Sequence, residues 1–86
     1  METRIGRISH YYDHIRVVVL SLTDKLNVGD KVHVLGHTTD FVQEVTSMEI
    51  EHKNVSSVSP GDEVALKVNE PVKEGDVIYK IIEETM

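Results

Sequence analysis

Five histidines in 86 residues are the first chemistry this chain offers, because imidazole both ligates metals and titrates near neutral pH. His10 and His14 flank Tyr11-Tyr12-Asp13. A turn through those three residues would set the two rings opposite each other at about 5 Å between Cβ atoms. With Asp13 beside them they could hold Zn²⁺ and leave a position open, which is the design of a small metal hydrolase using His10, His14 and Asp13. The plain alternative is a hairpin tip whose polar residues face water, and the stretch supplies no further well-placed ligand. His33 and His37 do not make a second pair unless the chain folds back at Gly36, since four residues of extended strand span about 13 Å.

Other reactive constellations are missing. There is no cysteine, and the serines lie outside any Gly-x-Ser-x-Gly turn that would expose a nucleophilic oxygen. The stretch "LGHTTDF", Leu35 to Phe41, has one glycine and no lysine, so it lacks the parts of a Gly-x-x-x-x-Gly-Lys-Ser/Thr phosphate cradle and implies no nucleotide. Glu49 and Glu51 fall on one strand face near Lys53, the pattern of a solvated face with a local ion pair. No cofactor is called for by these residues. Aromatic side chains are few: Phe41 and Tyr79 are expected in the core, while adjacent Tyr11 and Tyr12 must point to opposite sides of an extended chain, which leaves one exposed beside Arg7 and His10.

The elements that position these residues are strands. Alternation recurs at Val32 and Val34, at Val64, Leu66 and Val68, and at Val77, Tyr79 and Ile81. Six strands are expected, near 4–11, 15–22, 31–35, 40–51, 63–69 and 77–82. Closing them into a small antiparallel-rich barrel would remove unpaired edges. "IRVVVLSL" carries Ile15, Val17 and Val19 on one face and Val18, Leu20 and Leu22 on the other, so both faces want cover: one the barrel interior, the other a loop, a terminal segment or another chain. In the 40–51 stretch the apolar positions change parity between Val45 and Met48, which predicts a bulge near Thr46-Ser47. Three Gly-Asp pairs, at Gly29-Asp30, Gly61-Asp62 and Gly75-Asp76, are expected to be turns that start strands, with glycine taking a positive φ and the carboxylate accepting backbone N–H bonds.

Bulk properties narrow the class. A chain of 86 residues fits a single β-barrel domain over 1–86, with a small core and no disulfide to support it, as suits a reducing cytoplasm. The longest apolar run, Val17 to Leu20, is far short of the ~20 residues a membrane-spanning helix needs. The net charge is −6 and unevenly spread: residues 1–37 hold five Lys/Arg against four Asp/Glu, and residues 38–86 hold four against eleven. An acidic surface repels phosphates, so the chain lacks the electrostatic footprint of an autonomous nucleic-acid binder, while a weak RNA contact through Arg4, Arg7 and Arg16 stays compatible with the near-neutral first half.

The ordered set "IGRISHYYDHIRVVVL", "LNVGDKVHVLGHTTDFVQEVTSMEIEHK", "SPGDEVALKV" and "VKEGDVIYKI" covers nearly the whole chain and resembles the second, β-barrel domain of translation elongation factor Tu and its GTPase relatives. The "GHTTDF" and "IEHK" variants look closer to stand-alone elongation-factor-like proteins and to the barrel module at the carboxyl end of collagenase-like peptidases. What the resemblance implies is an all-β, six-stranded barrel of the elongation factor Tu domain 2 type, in a setting of translation, RNA modification or peptide handling. GTP hydrolysis does not come with it, because that activity belongs to a separate domain. The expected role is a non-catalytic module that docks on a protein partner of the translation or RNA-modification machinery, with self-association as a further route. The expected interaction rim is the first hairpin with the 36–40 loop: Arg7, His10, Tyr12, His37, Thr38 and Thr39. Gly36 should turn the chain there, and Thr38, Thr39 and Asp40 should bond the local backbone. "VKEGDVIYKIIEE" also resembles the end of biotinyl or lipoyl carrier domains, but their modifiable lysine beside methionine has no counterpart, since in "TSMEIEHK" Lys53 is out of position.

Overall fold

The structure is a computed structural model and describes residues 1–82. Ten strands follow one another: β1 (Glu2–Tyr12), β2 (Val17–Leu22), β3 (Leu26–Asn27), β4 (Lys31–Leu35), β5 (Asp40–Glu44), β6 (Met48–Ile50), β7 (Lys53–Val55), β8 (Ser57–Val58), β9 (Glu63–Lys67) and β10 (Val77–Ile81). The chain is all-β over the described residues, and no helix among them is long and apolar enough to cross a membrane.

The three Gly-Asp turns share one construction. In Asn27–Asp30, Ser59–Asp62 and Lys73–Asp76 the aspartate N–H donates to the carbonyl three residues back, and the aspartate carboxylate accepts from that same residue's N–H at 2.8 to 2.9 Å. The glycines at the third position have φ of 92 to 98°, which any side chain would strain. The aspartate thus closes each turn from both sides, and a strand begins within a residue of it.

Strands pair antiparallel in the order β5-β4-β10-β1-β2-β9-β6-β7, with β3 and β8 as a separate pair. Their inward side chains form one core, including Ile8, Val18, Leu20, Val32, Val34, Phe41, Val64, Leu66 and Ile78, joined by Leu26 and Val58 from the β3–β8 pair. Tyr79, expected in the core, is half-buried, because β10 turns Ile78 inward and Val77, Tyr79 and Ile81 the other way.

Two expectations about strand 40–51 change. It is two strands, with β5 on the β4 edge of the sheet and β6 across the sheet beside β9. The parity change between buried Val45 and buried Met48 is real, but the chain makes it by leaving one ladder at Val45–Ser47 and joining another, not by bulging. The bulges lie in β1, at Ile5 against β10 and at Ser9 against β2, where they bend the longest strand around the core. Glu51 likewise leaves the strand, since Glu51 and His52 form the β6–β7 turn with φ of 50 and 65°.

Backbone ladders do not close the barrel between β5 and β9. The buried Gln43 side chain bridges the two strands there: its amide donates to Lys67 O at 2.9 Å, and its oxygen accepts from Asn69 N–H at 2.8 Å. One side chain replaces a rung of backbone hydrogen bonds.

Candidate interaction face

Register decides which residues share the outer surface. The extra residue at Ser9 shifts β1 so that Arg7 stands opposite Ser21, His10 opposite Val19 and Tyr12 opposite Val17. These pairs extend into β9 and β6: Ser21 faces Glu63, Val19 faces Ala65, Val17 faces Lys67, and Ala65 in turn faces Glu49. Arg7, His10 and Tyr12 therefore form one column along β1, exposed and beside the second face of β2. The His10 and Tyr12 rings lie 5.1 Å apart, and His10 Nδ1 sits 3.3 Å from Glu74 Oε2.

The face with Ile15, Val17 and Val19, which the sequence says wants cover, floors an open groove of about 470 Å³ together with Tyr12, Met48 and Ala65. Ile15 is 61% exposed and Tyr12 48%. A second cleft adjoins it, sharing Val19, Ala65, Glu49 and His52 and adding Glu51, Asp62 and Glu63.

The 36–40 loop is the β4–β5 connection, as expected. Gly36 N–H donates to Thr39 O at 2.8 Å. Thr39 is only 5% exposed, which leaves His37 and Thr38 as the loop's outward side chains. A methyl group on Gly36 would overlap the buried Asp76 carboxylate, so the loop packs on the third Gly-Asp turn. That turn also carries Glu74, the partner of His10, and Asp76 O accepts from Ile8 N–H. The two halves of the expected rim are thus joined through residues 73–76, although the loop stands at the β4 end of the sheet, separated from β1 by β10.

Asp40 does not bond the loop backbone. Its carboxylate meets His33 Nε2 at 2.5 Å, while Glu2 Oε1 meets His33 Nδ1 at 2.9 Å. Between these carboxylates the His33 pKa is raised, first by the hydrogen bond to Asp40 and then by that to Glu2. This clasp ties β1, β4 and β5 and escaped the sequence reading. Half of it was legible: in the β4–β5 hairpin Asp40 pairs with Leu35, two residues from His33 on the same strand face. Glu2 reaches it only because β1 lies one strand beyond β10.

The proposed zinc constellation does not assemble. His10 is opposite Val19 and engages Glu74, whereas His14 lies at the hairpin tip beside Asp13 at 3.8 Å, fully in solvent. The chain turns over residues 13–16 and not through Tyr11-Tyr12-Asp13, so Tyr12 pairs with Val17 and His10 with Val19, and His14 is left inside the turn. Among the described residues no group of three His, Cys, Asp or Glu is placed to hold a metal ion. For the carrier reading, the β6–β7 hairpin exists, but its tip is Glu51-His52, and Lys53 pairs with Ile50 inside the ladder.

No protein-family model matches the chain. The crystal structure of the C-terminal domain of a Geobacillus thermoleovorans protein assigned to the U32 peptidases superposes with a TM-score of 0.87, covering 93% of each chain at 18% identity. The fold is that of a U32 peptidase C-terminal domain. In sequence the chain is 39% identical over 83 residues to an uncharacterized protease of Methanocaldococcus jannaschii, covering 95% of this chain and 20% of that protein. It is 25% identical over 81 residues to a collagenase of Porphyromonas gingivalis, covering 92% of this chain and 22% of that protein. The chain thus spans about a fifth of the length of the curated relatives it matches. These likenesses support the collagenase-like half of the resemblance, and none of the three proteins is a translation factor.

Proposed function

We propose that the chain is a non-catalytic β-barrel module that docks on a larger protein partner in the cytoplasm, presenting the outer face of β1 and β2 together with the 36–39 loop. The observation that carries this reading is the match of nearly the whole chain to about a fifth of proteins named for proteolysis. A segment of that proportion, with a strand face left half-open, is what a module built to sit against something else looks like. The partner belongs to a peptidase-like assembly acting in RNA modification or translation. Arg7, His10 and Tyr12 supply the contacts from β1, with His37 and Thr38 from the loop. Thr39 contributes by holding the loop, not by touching the partner. RNA contact is weak and runs through Arg7 and its neighbours, because the second half of the chain is strongly acidic.

The test is co-purification of the tagged chain from its native cytoplasm at moderate salt, with and without ribonuclease, followed by the same experiment with Arg7→Glu, His10→Ala and His37→Ala. Loss of the recovered partner with these substitutions supports the face. Unchanged recovery with all three would show that docking uses another surface.

A further inference from the structure

The groove on the outer face of β2, β9 and β6 carries more information than an unfilled apolar surface, because its walls differ in charge. Its floor is Val17, Val19 and Ala65, with Ile15 and Tyr12 standing exposed at one end. Toward the β6–β9 side it opens into the second cleft, where Glu49, Glu51, Asp62 and Glu63 gather. Lys67 and His52 are the basic side chains lining the pair of clefts. Lys67 pairs with Val17, at the Tyr12 end, and so lies away from Glu63, which pairs with Ser21. The face therefore has an apolar end and an acidic end.

We infer that this groove receives a basic amphipathic segment of a protein partner, with large apolar side chains laid over Tyr12, Ile15 and Val17 and Lys or Arg residues reaching Glu49, Glu51 and Glu63. The inference rests on the docking reading and names the chemistry of the docked segment. A volume of about 470 Å³ falls in the ordinary range of recognition clefts, roughly 300 to 1,000 Å³, and accepts more than one large side chain. Charge selects among the occupants. A second copy of the chain would bring its own net charge of −6 and the same acidic wall, and RNA would bring phosphates, so both are repelled where a cationic segment is drawn in.

The experiment uses the full chain and three synthetic peptides: one with Phe and Leu set between Lys and Arg, one with Glu in place of each cation, and one with Ser in place of Phe and Leu. Amide shifts are followed by NMR. The basic apolar peptide is expected to move the resonances of Val17, Val19, Ala65 and Glu49, and the two control peptides are expected to leave them in place. Glu49→Lys and Glu63→Lys, both exposed and so compatible with folding, should weaken that binding by about tenfold together, and raising the salt should do the same. Equal binding of the Glu-substituted peptide, or shifts that avoid β2 and β9, would overturn the inference. If no peptide moves the groove while a partner is still lost on substituting Arg7, His10 and His37, the docking reading stands and this assignment of the groove fails.

Discussion

At the scale of single residues, the His33 clasp makes the fold sensitive to pH. The ring's side chain is 17% exposed and its pKa is raised by Asp40 and Glu2. A histidine whose folded pKa lies above its unfolded value stabilises the fold through its protonated form. That contribution is complete below the unfolded value of 6.5 and is lost as pH rises through the raised folded value. The difference in urea midpoint between the parent and His33→Gln should therefore be largest in mild acid and shrink toward alkaline pH; a constant difference would mean that the charged ring is not what the carboxylates hold. Gly36 gives a second prediction at this scale. Gly36→Ala must push the loop off Asp76, and an overpacked site of this kind costs about 1–3 kcal/mol, readable as a lower midpoint in denaturant. Asp76 was legible in the sequence as a turn former, but its second role as the seat of the 36–39 loop depends on strand order and was not.

At the scale of elements, Gln43 bridges β5 to the end of β9 across the open seam of the sheet. Replacing it by Ala strands Lys67 O and Asn69 N–H at a part-buried seam, and an unsatisfied buried group costs about 1–3 kcal/mol. Gln43→Ala should lower the unfolding free energy by that order and speed amide exchange at Asn69, with exchange elsewhere in β1 and β2 following only global unfolding. The inward pattern of β4 and β9 was plain from Val32 and Val34 and from Val64 and Leu66, and the Gly-Asp turns were plain from their chemistry. The bulges at Ile5 and Ser9 left no mark, since a bulged residue needs no special type. The His10–His14 pairing failed for another reason: the turn falls at residues 13–16 and not at Tyr11-Tyr12-Asp13, and several turn positions fit that polar stretch equally well. The parity change at Val45–Ser47 was visible, but whether a chain bulges or changes partner strand is decided by the other strands, not by the stretch itself.

For the whole molecule, the fold was legible because its turns and strand starts recur in a fixed order along nearly the entire chain. The interaction face was only partly so. Composition located the acidity in the second half and alternation showed that β2 has two apolar faces, but only the register puts Glu49, Ala65, Val19 and His10 in one row. Docking through that face is the proposed role of the module. It is tested most directly by hydrogen exchange on the chain, free and bound to the partner recovered from its native cytoplasm. Exchange is expected to slow along residues 7–12 and 15–19 and in the 36–39 loop, with the β3–β8 end unchanged. Protection confined to the β3–β8 end, or none anywhere in a complex that remains intact, would contradict it.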